Sequence, residues 1–430
     1  MKIVVTGATG FIGRALCSEL AKEHNAIALT RRPEKASVLF EKPVDIIKWN
    51  PKDMDGWEKS LDGSDTIVNL AGTNLALCRW SKNFKAEILD SRIQASNILI
   101  RAIENSKVKP KAIITASATG FYGNRVNEEL DEEARGGFGF LAGVAQRIED
   151  CSRKFETLGL RSIVIRTGIV LGSSGGALPK MIMPFKFYLG GYWGSGDQWM
   201  SWISLADEVA AIKFLIENSN LYGAFNLTSP EPMQNQQFFQ TLAAELKKPC
   251  WLPMPAFALK IMFGEMADEL FLAGQRVYPR KLINAGFEFK YSELEKALES
   301  IEFERENHNQ SDYFENTEGT GILATADSNG NVDVAIYAKP HAIDENTIAF
   351  IMNKRLSYQN ITSNPKAAYL FLEDSPGYKG KRLYLTKIKE ETDKELIDSI
   401  RRKSEKHHEV DSNKHLVYFS VDKIRALVGE

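Results

Sequence analysis

Near-continuous apolar runs recur along the first 170 residues: KIVVT (2–6), AIALT (26–30), TIVNL (66–70), AIITAS (112–117) and SIVIRTG (162–168). Such runs predict strands buried on both faces. Between them lie stretches with helical spacing of apolar positions, FIGRALCSELAKE (11–23) and SRIQASNILIRAIENS (91–106) among them. Strand and helix in alternation predict an α/β fold, a doubly wound parallel sheet of Rossmann type. From about 170 the texture changes to Gly, Pro, Trp and Phe, followed by helical segments near 205–218, 235–247, 256–274 and 292–300. Residues 170–301 are expected to form a small substrate lobe on that sheet, completing a first domain over 1–301.

EFERENHNQSD (302–312) has no apolar period and reads as a linker. Beyond it, GTGILATAD (319–327) and VDVAIYAK (332–339) flank Asn329-Gly330, a strong hairpin signal. TIAFIMN (347–353), AAYLFLE (367–373), KRLYLTKI (381–388) and HLVYFSVD (415–422) continue as short strands, with a charged helix between the last two. Residues 313–430 are expected to be a separate antiparallel β-barrel.

Composition narrows the setting. A formal net charge of -2 gives no electrostatic reason for a nucleic-acid partner. Cys17, Cys78, Cys151 and Cys250 show no metal-ligand spacing, and His407 and His408 sit in a charged run, so no metal is expected. Scattered cysteines, structure beginning at residue 2 and no apolar run long enough to span a bilayer point to a cytoplasmic protein without a membrane partner.

The chemistry starts at Gly7, Gly10 and Gly13, a G-x-x-G-x-x-G turn between the first strand and the first helix. Glycine there permits a tight turn and close approach of backbone to a pyrophosphate, and the helix start adds free N–H groups. The expected dinucleotide site comprises Gly7, Thr9, Gly10, Phe11, Ile12 and Gly13, with Leu70, Ala71 and Gly72 after the strand TIVNL. The second strand ends in Thr30-Arg31-Arg32, with no acidic residue to hold a ribose 2′-hydroxyl. Arg31 and Arg32 therefore favour NADP(H) over NAD.

TGATGFIG (6–13) and VNLAG (68–72) resemble the extended short-chain dehydrogenase/reductases. ITASATGFYG (114–123), RTGIVLGSSGGALPKM (166–181), GSGDQWMSWISLADEV (194–209) and PRKLINAGFEFKYSELEKAL (279–298) are similar to an atypical branch, the epimerase family with its C-terminal domain of unknown function. In active relatives a tyrosine serves as general acid/base and a lysine four residues later holds the nicotinamide ribose. None of the 13 tyrosines here has lysine four positions on, and Phe140 and Val144 occupy the expected place. Loss of such assistance costs roughly 10²–10⁴ in rate, about 3–5 kcal/mol of barrier. The catalytic candidates that remain are Ser117, at the end of AIITAS, and Tyr122 in the Gly-flanked turn after it, read either as a substitute acid or as a packed loop residue. Asp207 reads as a helix N-cap rather than a catalytic acid, Trp193, Trp199 and Trp202 as cleft lining or lobe core, and Arg92 has no assigned role.

GILATADSNGNVDVAIYAKP (321–340) and FIMNKRLSYQNITSNPKAAYLF (350–371) resemble the pyridoxamine 5′-phosphate oxidase-like split barrels, which bind FMN, with haem or a deazaflavin in some members. The resemblance implies an FMN phosphate at Asn353, Lys354, Arg355 and Ser357, an isoalloxazine ring along Tyr337, Ala338 and Lys339, and a homodimer through the barrel. GYKGKRLYLTK (377–387) is a basic candidate rim. Three functions stay open: a two-cofactor NADP(H)/FMN oxidoreductase acting on a small-molecule substrate, a nucleotide-sugar epimerase or dehydratase with an accessory flavin domain, and a non-enzymatic redox-sensing binder.

Overall fold

The computed structural model describes residues 1–36, 39–40, 43–301, 313–314, 317–344, 347–374, 379–393, 396–397 and 414–427. The expected linker 302–312, most of the charged segment 389–409 and the start of the 377–387 rim lie outside the described residues. The chain divides into two units, Met1–Phe303 and Glu304–Glu430.

The first unit is built on a seven-stranded sheet. Its strands are β1 (Lys2–Thr6), β2 (Asn25–Thr30), β3 (Asp45–Lys48), β4 (Thr66–Asn69), β5 (Ala112–Ala118), β6 (Arg161–Thr167) and β7 (Gly223–Leu227). The spatial order is β7-β6-β5-β4-β1-β2-β3 and every pairing is parallel. β1 sits at the reversal of strand order, with Val4 opposite Ile27 on one side and Ile67 on the other. That reversal opens a crevice at the carboxyl ends of β1 and β4.

Helices cover both faces: α1 (Phe11–Leu20), α2 (Lys82–Glu104), α3 (Phe140–Thr157) and α4 (Leu205–Glu217). Because the strands are sandwiched, their two side-chain sets feed two separate cores. Ile3, Val5, Ile163 and Ile165 pack with Leu16, Cys17 and Ile212 on one face. Val4, Ile67 and Ile113 pack with Leu99, Ile103, Phe155 and Trp57 on the other. Each fully buried side chain of this size contributes about 1.5–3 kcal/mol relative to exposure. α2 opens with Ser81, whose side chain accepts the Phe84 N–H. The lobe has its own core, in which Phe185, Trp202, Phe238 and Phe239 are buried.

The second unit holds a seven-stranded antiparallel sheet. Its strands are β8 (Gly319–Ala326), β9 (Val332–Tyr337), β10 (His341–Ala342), β11 (Thr347–Asn353), β12 (Lys366–Glu373), β13 (Gly380–Glu391) and β14 (Lys414–Ala426), in the order β9-β8-β12-β13-β14-β11-β10. β9 and β10 end the sheet without pairing to each other, so it is open there. β11 leads into α5 (Leu356–Ser363). Alternate residues of β8 face a core of Leu323, Phe350, Tyr369, Phe371 and Phe419. Among the described residues no helix is long and apolar enough to cross a membrane.

Candidate functional site

β1 ends at Thr6 and the chain turns directly into α1 through Gly7. Gly7 has φ +66, and a Cβ there would stand 2.7 Å from the Leu70 carbonyl oxygen. At Gly13 a Cβ would stand 2.3 Å from the Gly7 carbonyl oxygen. Both positions therefore exclude any side chain, one by conformation and contact, the other by contact alone. Gly10 is the N-cap and offers no side chain to the first helical N–H groups, which stay free for an anionic ligand. Thr9 and Gly10 are exposed, and Ile12 is half-buried. The Phe11 ring turns away from the edge and packs where Cβ atoms on Gly172, Gly175 or Gly176 would lie, so only its backbone faces the turn.

The remaining dinucleotide candidates gather on the same edge. Leu70, Ala71 and Gly72 follow β4, and the backbone of Leu70 and Ala71 lies against Gly7. Arg31 and Arg32 follow β2, exposed, and the Arg32 N–H donates to Thr30 Oγ1 at 3.2 Å. Glycine turn, free helix start and two arginines fit a dinucleotide carrying a 2′-phosphate. A groove of about 870 Å³ along α1 and α4 is lined by Ala15, Glu19, Lys213 and Phe214 and by none of these residues. The dinucleotide candidates thus lie along the crevice and not along the groove.

Where relatives carry the tyrosine and lysine, the structure builds an apolar seam. Val144 and Ile148 pack with Phe84 and Ile88 of α2, and Phe140 lies against Trp80 at 5.1 Å. Lys85 Nζ stands 4.5 Å over the Phe140 ring. The N-terminus of α3 is capped from the lobe: Phe140 N–H and Leu141 N–H each donate to the Glu269 carboxylate at 3.0 Å. A carboxylate there also matches the helix dipole. Distance along the chain hid this cap from the sequence.

Ser117 and Tyr122 are brought together, but not as a catalytic pair. Tyr122 is fully buried and its hydroxyl donates to Asn226 Oδ1 at 2.7 Å while accepting from Arg166 Nη1 at 2.9 Å. Burial pushes its pKa up to about 12. Of the two readings of Tyr122, this geometry favours the packed loop residue, because its proton is already donated to Asn226 inside the core. Arg166, 5% exposed, forms a two-point ion pair with Glu149 at 2.9 Å, stacks 3.7 Å from the Phe121 ring, and anchors the network. Ser117 is half-buried at the end of β5 and its hydroxyl donates to Glu149 Oε1 at 3.2 Å, leaving lone pairs on Oγ. Sequence reasoning missed Arg166 and Glu149. The signal was one arginine inside the buried strand SIVIRTG, which requires a partner.

Asp207 is not itself the N-cap of α4, although its carboxylate accepts from the Ser204 hydroxyl at 2.8 Å. Ser204 is the N-cap of α4 and accepts the Asp207 N–H at 3.0 Å. The Asp207 carboxylate accepts the backbone N–H groups of Lys290 and Tyr291 at 2.7 and 3.0 Å. Glu132 likewise accepts from Asn226 N–H at 3.1 Å and Lys281 N–H at 3.3 Å. Asp207 thus ties the lobe's last segment to α4, and Glu132 ties it to β7. Trp202 is fully buried, Trp193 packs on Phe239 and Phe271 at 4.7 Å, and Arg276 lies 4.4 Å over Trp199. The tryptophans are structural parts of the lobe rather than a bare cleft lining.

The flavin candidates of the second unit do not form an anion cradle. Ser357 Oγ donates to Asp333 Oδ2 at 2.8 Å, which sets a carboxylate where a phosphate is required. Asn353 Oδ1 is a buried acceptor without a partner among the described residues. Lys354 and Arg355 are exposed. Tyr337 packs on Phe350 at 5.9 Å, the Ala338 carbonyl accepts from the Tyr369 hydroxyl at 3.2 Å, and Lys339 Nζ donates to the Thr317 carbonyl at 3.2 Å. As arranged, these residues do not fit FMN.

A glycine turn at the switch point of a parallel sheet defines a dinucleotide-binding protein of the Rossmann class. More narrowly, residues 3–228 match the NAD dependent epimerase/dehydratase family and 254–301 match a domain of unknown function, DUF1731. The chain belongs to that epimerase family. It is 38% identical over 303 residues to the epimerase family protein YfhF of Bacillus subtilis, covering 70% of this chain and 98% of that protein. A crystal structure of the human epimerase family protein SDR39U1 with NADPH superposes with a TM-score of 0.62 at 32% identity, over 70% of this chain and 99% of that one. The nucleoside-diphosphate sugar epimerase of Corynebacterium glutamicum superposes with a TM-score of 0.55 at 30% identity, over 69% of this chain and 57% of that one. Both family matches end before the second unit.

Proposed function

We propose that this chain is an NADP(H)-binding oxidoreductase that works on a small molecule without the tyrosine–lysine dyad. The observation that carries the reading is the sheet edge on which the Gly7–Gly13 turn stands between residues 70–72, after β4, and Arg31 and Arg32, after β2, in a chain similar to a protein crystallised with NADPH. The glycine turn and α1 N-terminus would hold the pyrophosphate, and the two arginines the 2′-phosphate. When bound, the dinucleotide supplies hydride exchange. Ser117 is the polar group at the end of β5, and its Oγ is oriented by Glu149 to accept a hydrogen bond from a substrate hydroxyl. Tyr122, Arg166 and Glu149 hold that strand end in place.

Fluorescence titration of the whole chain with NADPH and NADH tests the reading. NADPH is expected to bind at least ~10-fold more tightly, since a charge-assisted contact is worth about 1.5–3 kcal/mol. The double variant R31M/R32M should erase that preference while leaving NADH affinity unchanged. No binding of either nucleotide, or a preference untouched by the double variant, refutes it.

A second reading is an epimerase-type enzyme acting on a nucleotide-linked sugar. It draws on the family and on the likeness to the C. glutamicum protein. It is the weaker reading, because Phe140 cannot shuttle the sugar hydroxyl's proton. Epimer formation from a panel of UDP-hexoses, followed by chromatography, would reverse that ranking. The flavin reading is not carried into the proposal, because Asp333 already takes the Ser357 hydroxyl.

A further inference from the structure

Arg92 lies on α2, one turn beyond Ile88, the residue that packs with Val144 in the apolar seam. Its Nη1 donates to the carbonyls of Thr73 at 3.1 Å and Ile88 at 2.9 Å. Those two bonds fix the guanidinium beneath the loop after β4. Gly72 is exposed there, and a Cβ on it would stand 2.8 Å from the Arg92 Cζ. Gly72 is next to Ala71, whose neighbour Leu70 touches Gly7, so Arg92 is continuous with the dinucleotide edge. No carboxylate pairs with Arg92 among the described residues, and burial lowers its pKa without an offsetting acid. Nε and Nη2 make no protein hydrogen bond among the described residues, yet neither is sealed in the interior.

A guanidinium cannot shed its charge, and burying one without a counter-ion is costly. Such an arrangement persists where a ligand supplies acceptors. Arg92 stands beside the loop after β4, one turn along α2 from Ile88, which packs with Val144, the position at which active relatives of the resembled family carry their lysine.

We propose that Arg92 replaces the missing lysine, its free Nε and Nη2 donating to oxygens of the nicotinamide-ribose half of the dinucleotide. This rests on the NADP(H) reading above. Arg92 is a binding residue for one half of the cofactor, whereas Arg31 and Arg32 serve the other half. The two halves can be separated chemically, since 2′,5′-ADP carries the adenosine and its 2′-phosphate but no nicotinamide ribose.

The test is equilibrium titration of the full chain, as wild type, R92M, R92Q, R92K and R31M, with NADPH and with 2′,5′-ADP, together with the melting temperature of each protein without ligand. R92M and R92Q are expected to weaken NADPH at least ~10-fold, leave 2′,5′-ADP unchanged and melt no lower than wild type. R92K should recover part of the loss, and R31M should weaken both ligands. The proposal is overturned if R92M and R92Q bind NADPH like wild type, or lose both ligands equally. A merely structural Arg92 would give that equal loss together with a lowered melting temperature. If wild type binds neither ligand, the NADP(H) reading itself fails, an outcome distinct from NADPH binding that ignores Arg92.

Discussion

Glu208 offers the sharpest test of the energetics. It stands in the first turn of α4, fully buried, with Oε1 accepting from Thr167 Oγ1 at 2.8 Å. Its Oε2 has no partner among the described residues. Burial raises the carboxyl pKa from 4.5 to about 8. A carboxyl whose folded pKa is raised loses stability as pH climbs, because the unfolded chain releases its proton first. The loss begins near pH 4.5, grows as pH rises through about 8 and levels off about one unit above that. A gap of this size corresponds to about 3 kcal/mol at pH 7 and about 4 kcal/mol at pH 8. Glu208→Gln keeps the acceptor for Thr167 and removes the charge, although its new N–H₂ group lacks a partner at a cost of about 1–3 kcal/mol. The variant should therefore be no more stable than wild type at pH 5 and more stable at pH 8. Tryptophan fluorescence in urea reads this cleanly, since all seven tryptophans lie between residues 49 and 251, in the first unit. A difference between variant and wild type that stays flat from pH 5 to pH 8 would refute a neutral buried Glu208.

Two further outcomes follow from the geometry. Arg166→Met strands Glu149 and the Tyr122 hydroxyl, and should lower the stability of the first unit by about 3–5 kcal/mol in the same urea assay; a loss under 1 kcal/mol would contradict the network. Val332, Val334 and Ile336 are 72%, 61% and 80% exposed in a row on β9, the end strand of the second sheet. Such an apolar edge invites pairing, so the chain should be a homodimer by light scattering and Val334→Lys should shift it to monomer. A wild-type monomer would remove that expectation.

The parallel sheet, the glycine turn and the arginines after β2 were legible because each is written within a few consecutive residues. Periodicity likewise announced the antiparallel second half. What stayed hidden depends on contacts across the chain. Tyr122 sits in a Gly-flanked turn that suits a catalytic residue equally well; only Asn226, 104 residues away, and Arg166 settle its hydroxyl in the core. Glu269 caps α3 from 129 residues on, and nothing local marks it. Ser357 and Arg355 read as a phosphate site because they open a helix, whereas the neighbouring strand brings in Asp333.

The bonds from Asp207 to Lys290 and Tyr291 and from Glu132 to Lys281 have a consequence for where the chain can be divided as well as for folding. The acceptors belong to the epimerase segment and the donors to DUF1731, so neither segment is satisfied without the other. Recombination between them would strand two buried carboxylates. The two family segments therefore form one physical module, whose boundary falls after residue 291 rather than at 228.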